Sequence, residues 1–427
     1  MQSHARAAPP HVRQNGTGAL VLTRRAWLGG GLAATLFAPR RAAADGVFDL
    51  VAAALQGAGA ALGYNGGSPG PTLRGMAGRP LKLRFKNALQ GPTSLAFPGL
   101  RVANTVSGFS GLTGPAISPG GEQEIVITPP DPGFNLYLPY GPASVAEQLA
   151  AGLFGPLVVD EPSAPPADLD AVVVFSLLGA DLRANAETAP LTLTAPPGGR
   201  ARLRLANATP ELVISLSVSG ATAHVIAVDG APSEVFAPRD GEFPMAPSSR
   251  FELMLDLPES GKRVTFSANG GGPALQIETK GDRAPARAAI AALPPHPHLP
   301  LEIALERAAQ VTVTLTGNSD QGFAINGVHA RDWPAKPLFK AARGSPVALT
   351  LVNKTETPQT MRLEGHVARQ LHTLDDGWDP YWRDALLVGA GKTVHAAFVA
   401  DSAGKWPLAS ASPEKRAKGL LAYYVVT

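Results

Sequence analysis

The chain contains no cysteine, and this absence removes several kinds of chemistry at once. Without a thiol there can be no disulfide, no cysteine nucleophile and no iron–sulfur cluster. Metal sites that depend on a thiolate ligand are excluded for the same reason. Any function must therefore use other side chains.

Charged residues are also scarce, at 17%, and aromatic residues make up only 6%. The 37 basic and 34 acidic residues give a net charge of +3. Six arginines and no acidic residue lie in residues 1–44, so the remainder of the chain has an acidic excess of three. The excess of positive charge therefore lies in the N-terminal residues. The charge of the remaining chain does not predict a nucleic-acid partner.

No apolar run is long enough to cross a bilayer, which takes ~20 residues. The pair Arg24 and Arg25 precedes a weakly apolar stretch of about 13 residues, and small residues at 42–44 offer a cleavage site. Residues 1–44 resemble a twin-arginine signal peptide. We expect export to the periplasm and no transmembrane segment in the exported chain; the alternative is a basic disordered tail.

Glycine (46) and proline (41) are abundant and separate short alternating runs such as "LKLRFKN" and "EQEIVI". A strand that ends in Asn before a turn occurs three times, in "LRFKNALQ", "LRLANATP" and "LTLVNKTE". These patterns predict an all-β chain of three tandem β-sandwiches, at residues 45–162, 163–292 and 293–427. One short helix is predicted in "ASVAEQLAAGLF".

Longer segments carry a family resemblance. They include "YNGGSPGPTLR", "GLFGPLVVDEP", "RARLRLANAT" and "DDGWDPYWRDALLVGAGKTVHAAFVADSAGKW". Over nearly all of the chain after the leader, the sequence resembles the multicopper oxidase family. The resemblance implies three cupredoxin-like (plastocyanin-like) Greek-key domains. Members of the family hold one blue copper ion and, between the first and third domains, a three-copper cluster.

The positions of the copper ligands have been overwritten. The resemblance places the following residues there: Ala96, Pro98, Leu138, Tyr140, Gln359, Arg362, Glu364, Ala409, Ser410, Ala411, Lys415 and Leu420. Copper prefers imidazole and thiolate ligands, and cationic side chains oppose a metal ion. We therefore expect no copper cofactor, no other metal site and no catalytic residue.

The same resemblance predicts a refilled pocket between the first and third domains, formed by Phe97, Tyr140, Arg362 and Glu364. Arg362 and Glu364 lie two apart on a strand-like segment, so they point to one face. A buried charge requires a partner, and an ion pair between them would supply one. The alternative is a catalytic glutamate in a cleft. The other histidine-rich feature, Pro-His-Pro-His at residues 295–298, is interpreted as a solvated linker, with an adventitious metal contact as the alternative.

A scaffold without its metal ligands is similar in kind to the copper-free, multicopper-oxidase-like periplasmic cell-division protein. This resemblance predicts an inactive periplasmic binding or stabilising protein that acts in the cell envelope or in division, with an unknown periplasmic protein as its partner. Two alternatives stay open. One is an oxidoreductase with an unrecognised copper site, and the other is a small-molecule-binding module that uses the vacated cleft.

Overall fold

The first segment of the chain, residues 48–160, folds as two small sheets around one apolar core. The computed structural model describes residues 46–56, 61–334, 336–372 and 377–427. Strand β4 (Leu81–Asn87) shows which face of its sheet is buried. Its apolar residues point into the core, and the intervening basic residues are exposed. The strands pair in the orders β2-β1-β4-β5 and β3-β7-β6. Their bounds are β1 Phe48–Ala54, β2 Leu62–Tyr64, β3 Leu73–Met76, β5 Glu122–Ile127, β6 Gly133–Tyr137 and β7 Gly155–Asp160.

The second segment forms a larger sandwich, with the sheet orders β10-β9-β8-β12-β17-β14-β15 and β11-β19-β18-β13-β16. The bounds are β8 Leu169–Leu178, β9 Asp181–Ala184, β10 Glu187–Thr188, β11 Leu191–Ala195, β12 Arg200–Asn207, β13 Ile214–Ser219, β14 His224–Val228, β15 Ala231–Phe236, β16 Glu242–Met245, β17 Arg250–Asp256, β18 Arg263–Ala268 and β19 Pro273–Thr279.

The third segment repeats this architecture, with the orders β22-β21-β20-β24-β29-β26-β27 and β23-β31-β30-β25-β28. The bounds are β20 Ala309–Asn318, β21 Gly322–Ile325, β22 Val328–His329, β23 Lys340–Ala341, β24 Pro346–Asn353, β25 Gln359–Leu363, β26 Ala368–Leu371, β27 Trp378–Arg383, β28 Ala385–Val388, β29 Thr393–Val399, β30 Gly404–Ser410 and β31 Leu421–Val426. The all-β prediction is confirmed. The domain limits predicted from the sequence stay predictions.

Two short α-helices interrupt the β structure of the described residues. The predicted helix is present as α1 (Ala143–Ala150), and it lies against α2 (Pro413–Ala417) from the end of the chain. Helix α2 begins after Ser412, whose hydroxyl accepts the amide hydrogen of Lys415 as an N-cap. The helix pair therefore joins the first segment to the third.

The repeated asparagine has one structural role in all three segments. Asn87, Asn207 and Asn353 are buried at the ends of their strands. In each, the side-chain oxygen accepts the amide hydrogen two residues later, and the amide nitrogen donates to carbonyls of the following loop and beyond it. Each asparagine thus fixes a turn through a local Asx-type bond and attaches it to a distant part of the chain.

A fourth apolar cluster lies where the three segments meet. It contains residues from the first segment (including Leu138 and Tyr140), the second (Ala206) and the third (Ala409 and Leu421). The described residues lie within one compact unit, so this cluster is the common centre of the three sandwiches. The candidate site surrounds it.

Candidate functional site

The first segment contributes two antiparallel stretches to the centre. Ala96 and Leu138 exchange both backbone hydrogen bonds, at 2.9 and 3.0 Å. Tyr140 is fixed in the same way by Ser94, whose hydroxyl accepts the tyrosine amide hydrogen and donates to its carbonyl. Since side chains alternate along an extended chain, Leu138 and Tyr140 both face the central cluster.

Phe97 does not join them, contrary to the prediction of a refilled pocket that includes it. Ala96 belongs to the central cluster, whereas Phe97 packs in the core of the first segment against residues such as Leu95 and Leu100. The physical reason is the same alternation, because neighbouring residues of an extended segment point to opposite sides.

The third segment contributes strand β25, which lies between β28 and β30. Its Arg362 is opposite Ala409 in the β30 register and opposite Ala385 on the other side. Arg362 Nε donates to Glu364 Oε1 at 2.7 Å, and both side chains are buried. The two residues predicted to share one face therefore form an ion pair.

Asp384 is a second partner of Arg362, which sequence reasoning missed. Its Oδ1 lies 3.3 Å from Arg362 Nη1, a charge contact without hydrogen-bond geometry. Burial by itself lowers the pKa of Arg362, but the carboxylates of Asp384 and Glu364 outweigh burial and raise the pKa above its usual value. Arg362 therefore stays charged inside the protein.

Asp384 also binds Arg250 of the second segment. Arg250 Nη2 lies 2.5 Å from Asp384 Oδ2, and Nη1 lies 3.2 Å from Oδ1. The same guanidinium donates to the carbonyl oxygens of Phe134, Ser248 and Asp229. The ion pair of the third segment thus continues into a buried network that touches all three segments.

Asp229 closes this network. It accepts the backbone amide hydrogens of Arg250, Asp384 and Ala385 at 2.9, 3.2 and 3.2 Å. Burial, followed by the negative charge of Asp384, raises its pKa. In the sequence, only its position between a strand and Gly230 could have indicated that Asp229 has a structural role.

Arg416 is a further buried charged residue near Tyr140 that sequence reasoning missed. It lies on α2, is buried, and places its Cζ 4.4 Å from the ring centroid of Tyr140. Its Nε donates to Gly141 O and its Nη1 to Ser410 O, both at 2.8 Å. Only its place in a short helix next to Lys415 could have drawn attention to it.

Four other residues that the resemblance places at ligand positions, Gln359, Ser410, Lys415 and Leu420, also lie close together. Ser410 N donates to Leu420 O at 2.8 Å, and Leu420 N donates to Lys415 O at 2.9 Å. Lys415 Nζ reaches Pro358 O at 3.3 Å, and the adjacent Gln359 donates to Thr355 and Thr357. The side chains of Gln359 and Lys415 therefore bond to the protein.

This donor set does not fit copper. Alanine, leucine and proline side chains carry no lone pair, and Arg362, Arg416 and Lys415 bring positive charge to the site. Among the described residues, no cluster of three or more histidine or carboxylate side chains is arranged to hold a metal ion.

His366 is the histidine retained nearest to these positions, and it is held by the protein. Its Nδ1 lies 2.7 Å from Tyr424 Oη, which donates to Glu364 O, and its Nε2 accepts the amide hydrogen of Ser402 at 3.3 Å. The pattern assigns the proton to Nδ1. Burial lowers the pKa of His366 to about 3 although Asp401 lies 3.5 Å away.

The interpretation of residues 295–298 as a solvated linker is wrong for His296, which is buried. His298 is exposed, and its Nδ1 lies 3.0 Å from Asp131 Oδ1. Arg101 also pairs with Asp131, and burial lowers the pKa of His296 to about 4. The segment is bound to the first sandwich because Asp131 offers a carboxylate that sequence patterns could not place beside it.

Comparison with known proteins agrees with the fold. Two family models, both described as multicopper oxidase, match residues 51–164 and 303–427, together more than half of the chain. The chain belongs to the multicopper oxidase family. It is 23% identical to multicopper oxidase MmcO of Mycobacterium tuberculosis over 81% of this chain and 79% of that protein. It is 32% identical to copper resistance protein A of Pseudomonas syringae pv. tomato over 27% of this chain and 19% of that protein.

Solved structures give the same result. A multicopper oxidase from Pseudomonas thermotolerans superposes with a TM-score of 0.81 at 25% identity, over 90% of this chain and 99% of its own. Lac15 from a marine microbial metagenome superposes with a TM-score of 0.73 at 27% identity, over 88% and 100% of the two chains.

Two further predictions concern location. Arg24 and Arg25 of the predicted signal peptide lie outside the described residues, so export stays a prediction. Within the part of the chain that the structure describes, no helix is long and apolar enough to span a membrane.

Proposed function

We propose that this chain is an exported, catalytically inactive member of the multicopper oxidase family that acts as a binding or stabilising protein in the periplasm. One observation carries the proposal. The side chains that the resemblance places at the ligand positions are apolar, cationic or bonded to the protein. Electron transfer through copper therefore has no ligand set to use.

The buried network supports a stabilising function of the fold itself. Arg362, Asp384 and Arg250 connect the second and third segments, and Phe134 O connects the first. A chain whose centre is held by protein contacts needs no metal ion to keep its segments together. Its outer surfaces are then free to bind a periplasmic protein of the cell envelope, with cell division as the process suggested by the resemblance.

Copper loading tests the loss of redox function. The purified protein is incubated with copper, dialysed, analysed for metal content and assayed with a phenolic dye. We expect less than stoichiometric copper and no turnover. Copper that survives dialysis at one or more ions per chain, or dye oxidation, would contradict the proposal.

A variant with restored ligands serves as the positive control. Gln359→His, Ser410→Cys, Lys415→His and Leu420→Met together recreate the two histidines, the cysteine and the methionine that a blue copper site uses. Because these positions converge in the structure, we expect this variant to bind copper and become coloured. If the variant becomes coloured and the unmodified protein does not, the difference lies in the substituted side chains, because the two proteins share one backbone.

The binding function is tested by affinity capture from a periplasmic extract under native conditions, with an unrelated exported protein carrying the same tag as the control. We expect a protein recovered in fixed proportion only with this chain. Recovery of the same proteins with both baits would contradict a specific binding function.

A further inference from the structure

Three polar groups around the central cluster have hydrogen-bond capacity that the protein does not use. Among the described residues, Arg416 Nη2, the hydroxyl of Tyr140, and Nη1 and Nη2 of Arg362 are buried and make no hydrogen bond of normal geometry. The Arg416 guanidinium nevertheless lies close to the Tyr140 hydroxyl. Buried donors are nearly always paired, because a donor that loses its hydrogen bonds to water and gains none in the protein destabilises the fold. Several such donors at one place indicate a ligand.

The unpaired groups lie together. Arg416 covers the ring of Tyr140, with Cζ 4.4 Å from the ring centroid. Arg362 is opposite Ala409 in the β25–β30 register, and Arg416 Nη1 binds the carbonyl of the next residue, Ser410. Burial is the main reason that the pKa of Tyr140 is raised, and charges on Glu364, Arg416 and Arg362 all act on the same phenol. One small ligand could therefore reach all three side chains.

Charge decides the sign of that ligand. Arg362 is paired with Glu364 and Asp384, but Arg416 forms no salt bridge with a carboxylate of the described residues. Burial lowers the pKa of Arg416, yet a guanidinium does not lose its proton in proteins. An unpaired buried cation is strongly unfavourable, and an anion beside it removes that cost.

Size restricts the ligand further. The unpaired atoms have almost no contact with solvent, so there is no entrance for a large anion. Ala96 and Ala409 of the central cluster have short side chains, and Ala411 lies next to Arg416 through its carbonyl. Burial of the site favours a monatomic anion over the larger phosphate or sulfate.

We propose that the position of the former copper cluster has become a binding site for a halide-sized anion such as chloride, held by Arg416, Arg362 and the hydroxyl of Tyr140. The inference does not rest on the proposed function, because anion binding can fail while the chain remains free of copper. It would mean that a cation site has become an anion site on an unchanged backbone.

Anion-dependent stability tests the proposal. The melting temperature of the purified protein is measured against chloride concentration, with sodium gluconate holding the ionic strength constant. We expect a saturable increase with chloride and with bromide but none with sulfate, since a ligand that binds only the folded state stabilises it by mass action. Crystals grown with bromide should show its anomalous signal within hydrogen-bonding distance of Arg416 Nη2.

Tyr140→Phe removes one donor and keeps the ring beneath Arg416. We expect it to weaken chloride binding about tenfold, as the loss of one charge-assisted hydrogen bond does. Tyr64→Phe is the matched control, because Tyr64 also has a buried, unpaired hydroxyl but lies in the core of the first segment. It should leave chloride binding unchanged.

Three results would overturn the proposal. They are the absence of a saturable effect at constant ionic strength, equal chloride binding in Tyr140→Phe and the unmodified protein, and a water molecule without anomalous signal at the site in bromide crystals.

Discussion

Arg250 and Asp384 are 134 residues apart in sequence, yet Arg250 Nη2 lies 2.5 Å from Asp384 Oδ2 in the buried centre of the molecule. Gly99 of the first segment approaches the same pair so closely that a Cβ there would lie 1.8 Å from Asp384 Oδ2 and 2.3 Å from Arg250 Nη2. One ion pair therefore holds three sandwiches at a single point.

Gly99→Ala should break this junction. Gly99 has φ of +83°, which alanine adopts at a cost of about 1–2 kcal/mol, and the added methyl group collides with the ion pair. We expect a loss of about 3 kcal/mol or more in the free energy of unfolding, measured with guanidinium chloride. Gly78→Ala is the matched control: φ is +71° and nothing lies near the added Cβ, so only the backbone cost should be seen. Equal effects of the two changes would contradict the role of Gly99.

Removing the carboxylates should destabilise the protein in a definite order. Glu364→Ala leaves Arg362 with Asp384 alone and should cost about 3 kcal/mol. Asp384→Ala should cost about 5 kcal/mol, because it deprives both Arg362 and Arg250 of a partner. Glu306→Ala, in an exposed pair with Arg307, should change stability by less than about 0.5 kcal/mol. Thermal and chemical unfolding measure all three, and an unchanged melting temperature for Glu364→Ala would refute the buried network.

Stability should fall as the pH decreases below about 6.5. The pKa of His366 is about 3 and that of His296 about 4 in the folded protein, against about 6.5 when unfolded. Between those values the unfolded state binds protons that the folded state does not, so acid favours unfolding by up to about 1.4 kcal/mol per pH unit for each histidine.

Guanidinium chloride unfolding at about pH 7, 6 and 5 measures this slope, above the range in which ordinary carboxylates titrate. His366→Gln should reduce the slope by about half, because glutamine does not titrate. A slope that is unaffected by this change would show that His366 is not kept neutral by burial.

Export should depend on the paired arginines near the N-terminus. The double change Arg24→Lys with Arg25→Lys keeps the charge but removes the arginine pair that the twin-arginine route requires. We expect the unprocessed precursor to accumulate in the cytoplasm, as detected by cell fractionation and immunoblotting. Normal export of the doubly changed chain would exclude this route.

Much of this protein was determined by sequence alone. Alternation in segments such as β4 fixes strands and their buried faces locally, because the two sides of a strand differ at every second residue. The missing cysteine and the residues that the resemblance places at the ligand positions predict, without any coordinates, the loss of the family's copper chemistry. The pairing of Arg362 with Glu364 was predictable for the same local reason.

Tertiary structure decided what surrounds that pair. Asp384, Arg250 and Asp229 come from two sandwiches, and Arg416 reaches Tyr140 of the first sandwich from the end of the chain. His296 was misplaced by sequence reasoning because a side chain's neighbours across an interface leave no periodic signal. Phe97 was misplaced although its alternation with Ala96 already directs it to the other side. Burial and charge partners depend on how distant strands pack, and that packing forms a buried ionic centre whose donors are not all paired.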